Sequence, residues 1–309
     1  MDYAELTGPF LRTKGLGNGI PQHILDGPAF AAPFRGVRVS AAQPVSVHTR
    51  AAAALLLTES GVVSHHTAAE LWGAVVPRHS DTHVTVHKPI HRPRRPGLSA
   101  HVFRQPRDTT WLRGLPITTP AQTFCDLAAA LDVVDLVVAG DSLVHAGLVS
   151  PGQLVSAVNM YAARPKLRAK QAAELVRLGV ESPMETRSRL LIVLAGLPEP
   201  QINSEVTLDD RTYRLDMSYP HYRLAFEYDG RQHATSSHQW QRDITRREDL
   251  DRWAWRLMIL RSEDIFKRPL QALERIVDAM RAAGMPIDSL EQEALTRVDR
   301  HFPGTGRRL

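Results

Sequence analysis

The chain has 309 residues, 43% of them hydrophobic, with one cysteine and a formal net charge of +5. That length exceeds a typical single domain and points to two domains. The lone Cys125 excludes an internal disulfide and a thiolate zinc site, and no apolar run reaches the roughly 18–20 residues of a membrane helix.

The start, MDYAELTGPF, lacks the basic-then-apolar pattern of a signal peptide. A soluble cytoplasmic protein with no membrane partner is the expectation. The positive charge rests almost wholly on arginine, which is compatible with an anionic partner but does not require one.

Residues 1–45 read as a reduced winged helix-turn-helix, with TKGLGNGIPQHIL as turn and second helix and PFRGVRVSAA as the wing. TRAAAALLLTES predicts a helix from Thr49, and GVVSHHTAAELWGA a turn, a Ser/Thr N-cap and another helix. DTHVTVHK and LSAHVFRQ alternate as strands. ITTPAQTFCDLAAAL opens a helix behind Thr-Pro, and VVDLVVAGDSLVHAGLV supplies one more. Residues 46–160 thus form an α+β domain.

YAARPKLRAKQAAELV predicts a basic helix inside a linker at 161–179. SPMETRSRLLIVLAGL is a helix with Ser182 at the N-cap, Pro183 at its first position and Glu185 completing a capping box. INSEVTLD, TYRLDMSY and YRLAFEYD, broken at DDR and PHY, predict an antiparallel meander. HQWQRDITRREDLDRWA is a charged helix, WRLMILRSED a buried strand and RPLQALERIVDAMRAAG a closing helix. Residues 180–285 therefore predict a mixed sheet flanked by helices, and 286–309 a polar tail. The fold class expected is α+β in two domains.

In YRLAFEYDGRQH, Glu227 and Asp229 stand two apart at the end of an apolar run. The two-residue period puts Ala225, Glu227 and Asp229 on one face, and Arg214, Asp216 and Ser218 on one face of the preceding strand. If the strands pair through SYPHYR, Asp216 comes close to Glu227. Acids packed that closely need a cation or a proton between them. Carboxylates that leave room for water and phosphate oxygens suit Mg²⁺ or Mn²⁺. His233 would then orient or deprotonate a water. Asp243 and Arg246 share a helical face, and Arg246, Arg247 or Arg261 could hold a phosphate.

Each of these residues also has a plain structural reading. Glu185 serves as a cap, Asp216 as a solvent-facing strand residue, and the acid pair with its glycine as a solvated turn. The helix carrying Asp243 alternates charge as a salt-bridged surface would. His79, His83, His87 and His91 recur every four residues, yet His83 and His87 on a strand stand roughly 13 Å apart and cannot share an ion. Trp253 and Trp255 read as packing residues, HRPRRP as an exposed basic turn, and Cys125 as a buried small side chain.

The ordered stretches SPMETRSRLLIVLAGLPEPQINSEV, RLDMSYPHYRLAFEYDGRQH, RDITRREDL and WAWRLMILRSEDI resemble the domain of unknown function 559. That family is similar to the very-short-patch mismatch-repair nucleases of the PD-(D/E)XK superfamily. The resemblance covers roughly residues 180–282. It implies a restriction-endonuclease-like fold and metal-dependent DNA hydrolysis. Asp216, Glu227 and Asp229 fall on its metal-binding acids, His233, Asp243 and Arg246 on further motif positions, and Glu185 on the acid of the opening helix. The superfamily's usual motif lysine is replaced here by Asp229, and Lys267 is the only lysine in the domain. Activation of water would fall to the metal or to His233.

FRGVRV, VSHHTAAELWGA, THVTV, GLPITTPAQTFCDLAAAL and DSLVHAGLVSPGQL resemble the AbiEi-type antitoxin domain over about residues 8–158. This second resemblance implies a winged helix-turn-helix with an α+β domain, and a promoter or a cognate toxin as partner. The expected function is a Mg²⁺- or Mn²⁺-dependent DNA endonuclease; the alternative is a non-catalytic DNA-binding regulator or antitoxin-like protein that retains a nuclease fold.

Overall fold

The computed structural model describes residues 8–103, 107–161, 166–229, 237–288, 290 and 292–303, with backbone only for 237–243. The chain is mixed α/β and divides into two compact units. One runs to Leu131 and resumes over Ala146–Glu174; the other combines Asp132–His145 with the chain from Leu175 onward.

The first unit begins with β1 (Phe10–Leu11), α1 (Arg12–Gly17), α2 (Gln22–Leu25), β2 (Phe30–Ala31) and β3 (Val37–Ser40), whose sheet is ordered β1-β3-β2. Its small core joins Ile20, Leu25 and Phe30, with the Phe10 and Phe30 rings edge to face at 5.6 Å. Gly15 lets these side chains pack closely: a Cβ would stand 2.8 Å from the Phe10 ring and 2.9 Å from Leu25, and both would have to shift. The second helix of the expected helix-turn-helix is thus a four-residue turn.

Then follow α3 (Val47–Leu55), β4 (Val62–Val63), α4 (His65–Trp72), β5 (Thr82–Val86), β6 (Leu98–Val102), β7 (Thr109–Leu112), β8 (Leu115–Thr118) and α5 (Pro120–Leu127). Their sheet runs β6-β5-β4-β8-β7, with β5–β6 and β4–β8 parallel. Helix α3 starts where Ser46 Oγ accepts the Thr49 N–H at 3.1 Å. The cap expected before α4 is not made: Ser64 has no side-chain capping bond, and its hydroxyl instead meets Thr85 Oγ1 at 2.7 Å.

The chain next contributes α6 (Val133–His145) to the second unit and returns with α7 (Pro151–Met160) and α8 (Lys166–Leu175). Helix α6, expected inside the 46–160 domain, thus belongs elsewhere. Helix α8, expected as a linker, is packed into the first unit. Ala169, Ala172 and Ala173 are buried, and Arg168 donates to the Ala128 and Leu131 carbonyls at 3.0 and 3.1 Å.

The second unit continues with α9 (Pro183–Leu194), β9 (Gln201–Leu208), β10 (Arg211–Tyr219), β11 (Leu224–Tyr228), α10 (Ser237–Arg252), β12 (Arg256–Leu260), α11 (Ser262–Phe266), α12 (Pro269–Ala282) and α13 (Gln292–His301). The sheet order is β12-β11-β10-β9. Strands β9, β10 and β11 form an antiparallel meander, and β12 joins β11 in parallel.

Helix α9 is buried over most of its length and carries a fully buried Arg189. That guanidinium donates to Asp141 at 3.0 Å, to Glu199 at 3.1 Å and to the Leu175 carbonyl at 2.9 Å, so its charge is paired twice. The stretch expected as a polar tail is partly a helix: α13 buries Val298, and Phe302 is buried just after it. Two apolar side chains one turn apart are enough to dock an otherwise charged helix. Among the described residues, no helix is long and apolar enough to cross a membrane.

Candidate active site

Regular pairing of β10 with β11 runs from Tyr219↔Leu224 to Met217↔Phe226 and stops there. The Asp216 carboxylate then accepts the Tyr228 N–H at 3.0 Å, taking a donor that a longer ladder would have used. Burial pushes the Asp216 carboxyl above the usual carboxylate range; the Tyr228 N–H pulls it back, and the nearby Glu185 charge pushes it up again.

Glu227 lies on β11 and is 9% exposed. Burial pushes its carboxyl up to about 7, Arg246 opposes the rise and Asp216 adds to it. The Arg246 guanidinium reaches down from α10 to ion-pair with Glu227 Oε1, and it also donates to the Arg214 carbonyl at 2.7 Å. One turn further along, Leu250 is buried with Leu215, Ala225 and Trp255, which anchors the helix that aims Arg246. Of the two tryptophans expected to pack, Trp255 does so, while Trp253 is 40% exposed and donates to Asp209 at 3.3 Å.

Glu185 has both a structural and an electrostatic place. Its N–H donates to Ser182 Oγ at 3.1 Å, while its carboxylate accepts from the Glu181 N–H at 3.1 Å and from Asn203 Nδ2 at 3.2 Å. The expected reciprocal capping box is therefore displaced by one residue. Asn203 makes its contact from a left-handed backbone, φ +46°, inside β9.

Asp216, Glu227, Glu185 and Arg246 thus form one electrostatic neighbourhood. Asp229 does not complete it. Strand β11 ends at Tyr228, so the alternation that would carry Asp229 to the Glu227 side ceases. Its side chain is exposed, and its N–H donates to the Leu260 carbonyl at 2.9 Å. Asp229 lines a small open pocket of about 110 Å³ with Glu227, Arg246 and Arg247. Among the described residues, Asp216, Glu227 and Asp229 do not bring three carboxylate oxygens within 4.8 Å of one another. Arg261 caps α11, its N–H donating to Asp264 at 2.8 Å. Asp243 lies on α10 with its side chain outside the described residues, as is all of His233.

The sequence reading missed a second constellation. His65, His83 and His101 of the first unit each place a ring nitrogen within 4.8 Å of the others. His87 stands apart and exposed. Spacing within one strand could not reveal this group, because its members come from three elements; the signal was histidine on both neighbouring strands and in the doublet His65-His66.

No family model matches the chain. Two uncharacterized proteins of Mycobacterium tuberculosis, from strains CDC 1551 / Oshkosh and ATCC 25618 / H37Rv, are each 30% identical to it over 108 residues, which is 34% of this chain and 40% of theirs. The chain therefore spans well under half the length of these curated relatives.

Proposed function

We propose that the chain is a metal-dependent DNA endonuclease of the restriction-endonuclease-like class, hydrolysing phosphodiester bonds at the acids of β10 and β11. One observation carries this reading: Asp216 and Glu227 are both mainly buried, and each is pushed above the ordinary carboxylate range. Buried acids within each other's field are characteristic of sites that await a compensating cation. The donor set fits Mg²⁺ or Mn²⁺, which take one or two carboxylates and complete their shells with water and phosphate oxygens. Meander topology and the resemblance of residues 180–282 support the same class.

Asp216 and Glu227 would hold the ion, with Glu185 and Asp243 as additional acids. Bound there, the ion would supply Lewis-acid polarisation of the scissile phosphate. Arg246 offers a guanidinium fork that matches two phosphate oxygens and would stabilise the charge that develops on them. Arg247, exposed beside it, adds attraction for the DNA backbone. His233 would orient or deprotonate the attacking water, and Asp229 would tune the pocket from its rim.

The test is nicking of supercoiled plasmid with Mg²⁺. Asp216→Ala and Glu227→Ala should each abolish it while leaving the circular dichroism melt in place. Wild-type protein inert on duplex, mismatched and single-stranded DNA with either ion would sink the proposal.

One specific contact favours a second reading, a DNA-binding regulator or antitoxin-like protein without cleavage. Arg246 already neutralises Glu227, and Asp229 stands where the related nucleases carry lysine. Gel-shift binding to the chain's own upstream DNA, with no cleavage under any metal, would select that reading; a promoter or a cognate toxin would then be the partner.

A further inference from the structure

The first unit gathers five imidazoles that phosphodiester hydrolysis does not use. His65 and His66 open α4, His79 precedes β5, His83 lies in β5 and His101 in β6. Parallel pairing sets Thr85 of β5 opposite His101. The start of α4 is tied to the same strand: the Ser64 N–H donates to the His83 carbonyl at 3.2 Å, and the His83 N–H donates to Thr67 Oγ1 at 2.8 Å. The His65 and His101 rings stack at 3.6 Å, and His83 lies 5.9 and 5.2 Å from them.

We propose that His65, His83 and His101 bind a transition-metal ion of the Zn²⁺ class, with His79 and Ser64 as positioning residues that orient the ligand rings.

The hydrogen bonds assign the ring nitrogens. The Asp81 N–H donates to His79 Nδ1 at 3.1 Å, so that nitrogen carries no proton. His83 Nε2, 2.9 Å from the same atom, must then be the donor. A neutral ring with its proton on Nε2 has a lone pair on Nδ1, and His83 Nδ1 is 2.9 Å from His101 Nε2. Two nitrogens on one tetrahedral Zn²⁺ stand about 3.3 Å apart, given Zn–N bonds of about 2.0–2.1 Å. For an ion to bind there His101 must carry its proton on Nδ1 instead of Nε2, so that both facing nitrogens present lone pairs, and the pair must open slightly. His65 Nδ1 is 2.9 Å from Ser64 Oγ, which leaves its Nε2 for the ion. A ligand imidazole whose far nitrogen is fixed by an outer partner is the usual arrangement in histidine metal sites.

Three further observations agree. His66, 4% exposed, has a buried Nδ1 without a hydrogen-bond partner, and its ring lies 5.1 Å from that of His83. His65 opens α4 from a left-handed backbone, φ +51°, which fixes where its ring enters the cluster. His101 also lines an open pocket of about 610 Å³ beneath the basic loop Arg92–Pro96, which gives an ion a route in.

Protonation and donor type select the ion. Burial holds His83 down to about 3 and His66 and His101 down to about 4, so the rings are neutral and able to ligate at neutral pH. Arg107 faces His65 and Arg92 faces His101, while Asp81 is the acid that faces His83. The nearby cations oppose any dication alike, so the donor type decides: imidazole nitrogens without a carboxylate disfavour Mg²⁺ and suit Zn²⁺, Co²⁺ or Ni²⁺. Since the lone pairs of parallel rings do not converge, loading would tilt the His65 and His101 rings toward each other.

The full chain, stripped with a chelator and refilled with Zn²⁺, is to be assayed by elemental analysis after gel filtration, with Co²⁺ absorption as a second readout. One ion per chain and the visible bands of a nitrogen-rich tetrahedral Co²⁺ site are expected. His83→Gln and His101→Gln should each remove stoichiometric uptake. His79→Ala should keep one ion per chain but weaken it by about 10–100-fold, as loss of an outer partner does. His87→Ala, at an exposed histidine outside the cluster, should leave uptake unchanged. Metal-free circular dichroism checks that each variant folds; if His83→Gln does not, His65→Asn takes its place. No uptake by the wild type at micromolar Zn²⁺, uptake equal in all the variants, or uptake lost in His87→Ala would each overturn the proposal.

Discussion

The histidine cluster of the first unit and the acid pair of the second both lie largely out of water, yet burial prepares them in opposite ways. Removing water disfavours whichever form is charged. For an imidazole that form is the protonated one, so His83 is held down to about 3 and presents its lone pair when empty. For a carboxylate it is the ionised form, so Glu227 rises to about 7 and keeps Arg246 as a stand-in cation. Readiness for a metal thus depends on the protonation state that the low dielectric favours, as well as on the number of donors.

The largest expected effect separates the two regions outright. Arg189→Met leaves Asp141, 2% exposed, with no guanidinium at 3.0 Å, and breaking such a buried pair costs about 3–5 kcal/mol. Calorimetry should show the second unit melting earlier and plasmid nicking lost. Zn²⁺ uptake by the histidine cluster should persist, and its loss would mean that the regions cannot be compared as independent sites.

Next is a buried acid that ligates nothing. Asp126 on α5 is 0% exposed, accepts from Gln122 at 2.9 Å and ion-pairs with Arg107 at 3.4 Å. Burial still pushes its carboxyl up to about 6 from 3.8. The folded chain then binds the proton more tightly than the unfolded one. The associated stability is therefore present below pH 3.8 and declines as pH rises toward about 6, by about 3 kcal/mol. Urea titrations across that range should show the decline in wild type and its absence in Asp126→Asn. An identical slope in both proteins would refute the burial argument where no metal complicates it.

How much of this was readable follows from how local each signal is. Ser182 and Pro183 announce α9 because a cap lies within one turn, and the meander is visible because each strand brings its own breaks. The β7–β8 hairpin is not, since Pro116 inside β8 argues against a strand and the turn at Arg113-Gly114 is short. Helix α13 is hidden by its charge, with only Val298 and Phe302 to reveal a packed side. Asp216 and Glu227 could be brought together from the hairpin alone. Where β11 stops could not be read, and that decides the fate of Asp229. The histidine cluster required the β5–β6 pairing and the placement of α4, which no single segment encodes.

Arg246 tests whether the acid site is occupied by its own cation. Arg246→Ala should lower cleavage about 100-fold, the usual loss when one donor to a developing charge is removed. The same change frees Glu227, so Mn²⁺ measured by electron paramagnetic resonance should bind several-fold more tightly. Cleavage and Mn²⁺ affinity falling together would assign Arg246 to holding the fold.

Asp229 carries the smallest expected change. Its side chain is exposed at the end of β11, and Tyr228 separates it from Glu227. A carboxylate at the surface contributes less to a field a few ångströms away than a buried one does, because solvent screens it. Asp229→Asn should alter the nicking rate less than about fivefold, on the scale of one screened charge, and should leave its dependence on Mg²⁺ concentration unchanged. Asp229→Lys installs the lysine that the nuclease resemblance expects at this slot, and under the proposed function it should raise the rate only if its amine reaches the attacking water. A hundredfold loss in Asp229→Asn would show that all three acids share the ion in the DNA-bound state, and the contrast between a ready imidazole site and a self-neutralised acid pair would then be confined to the free protein.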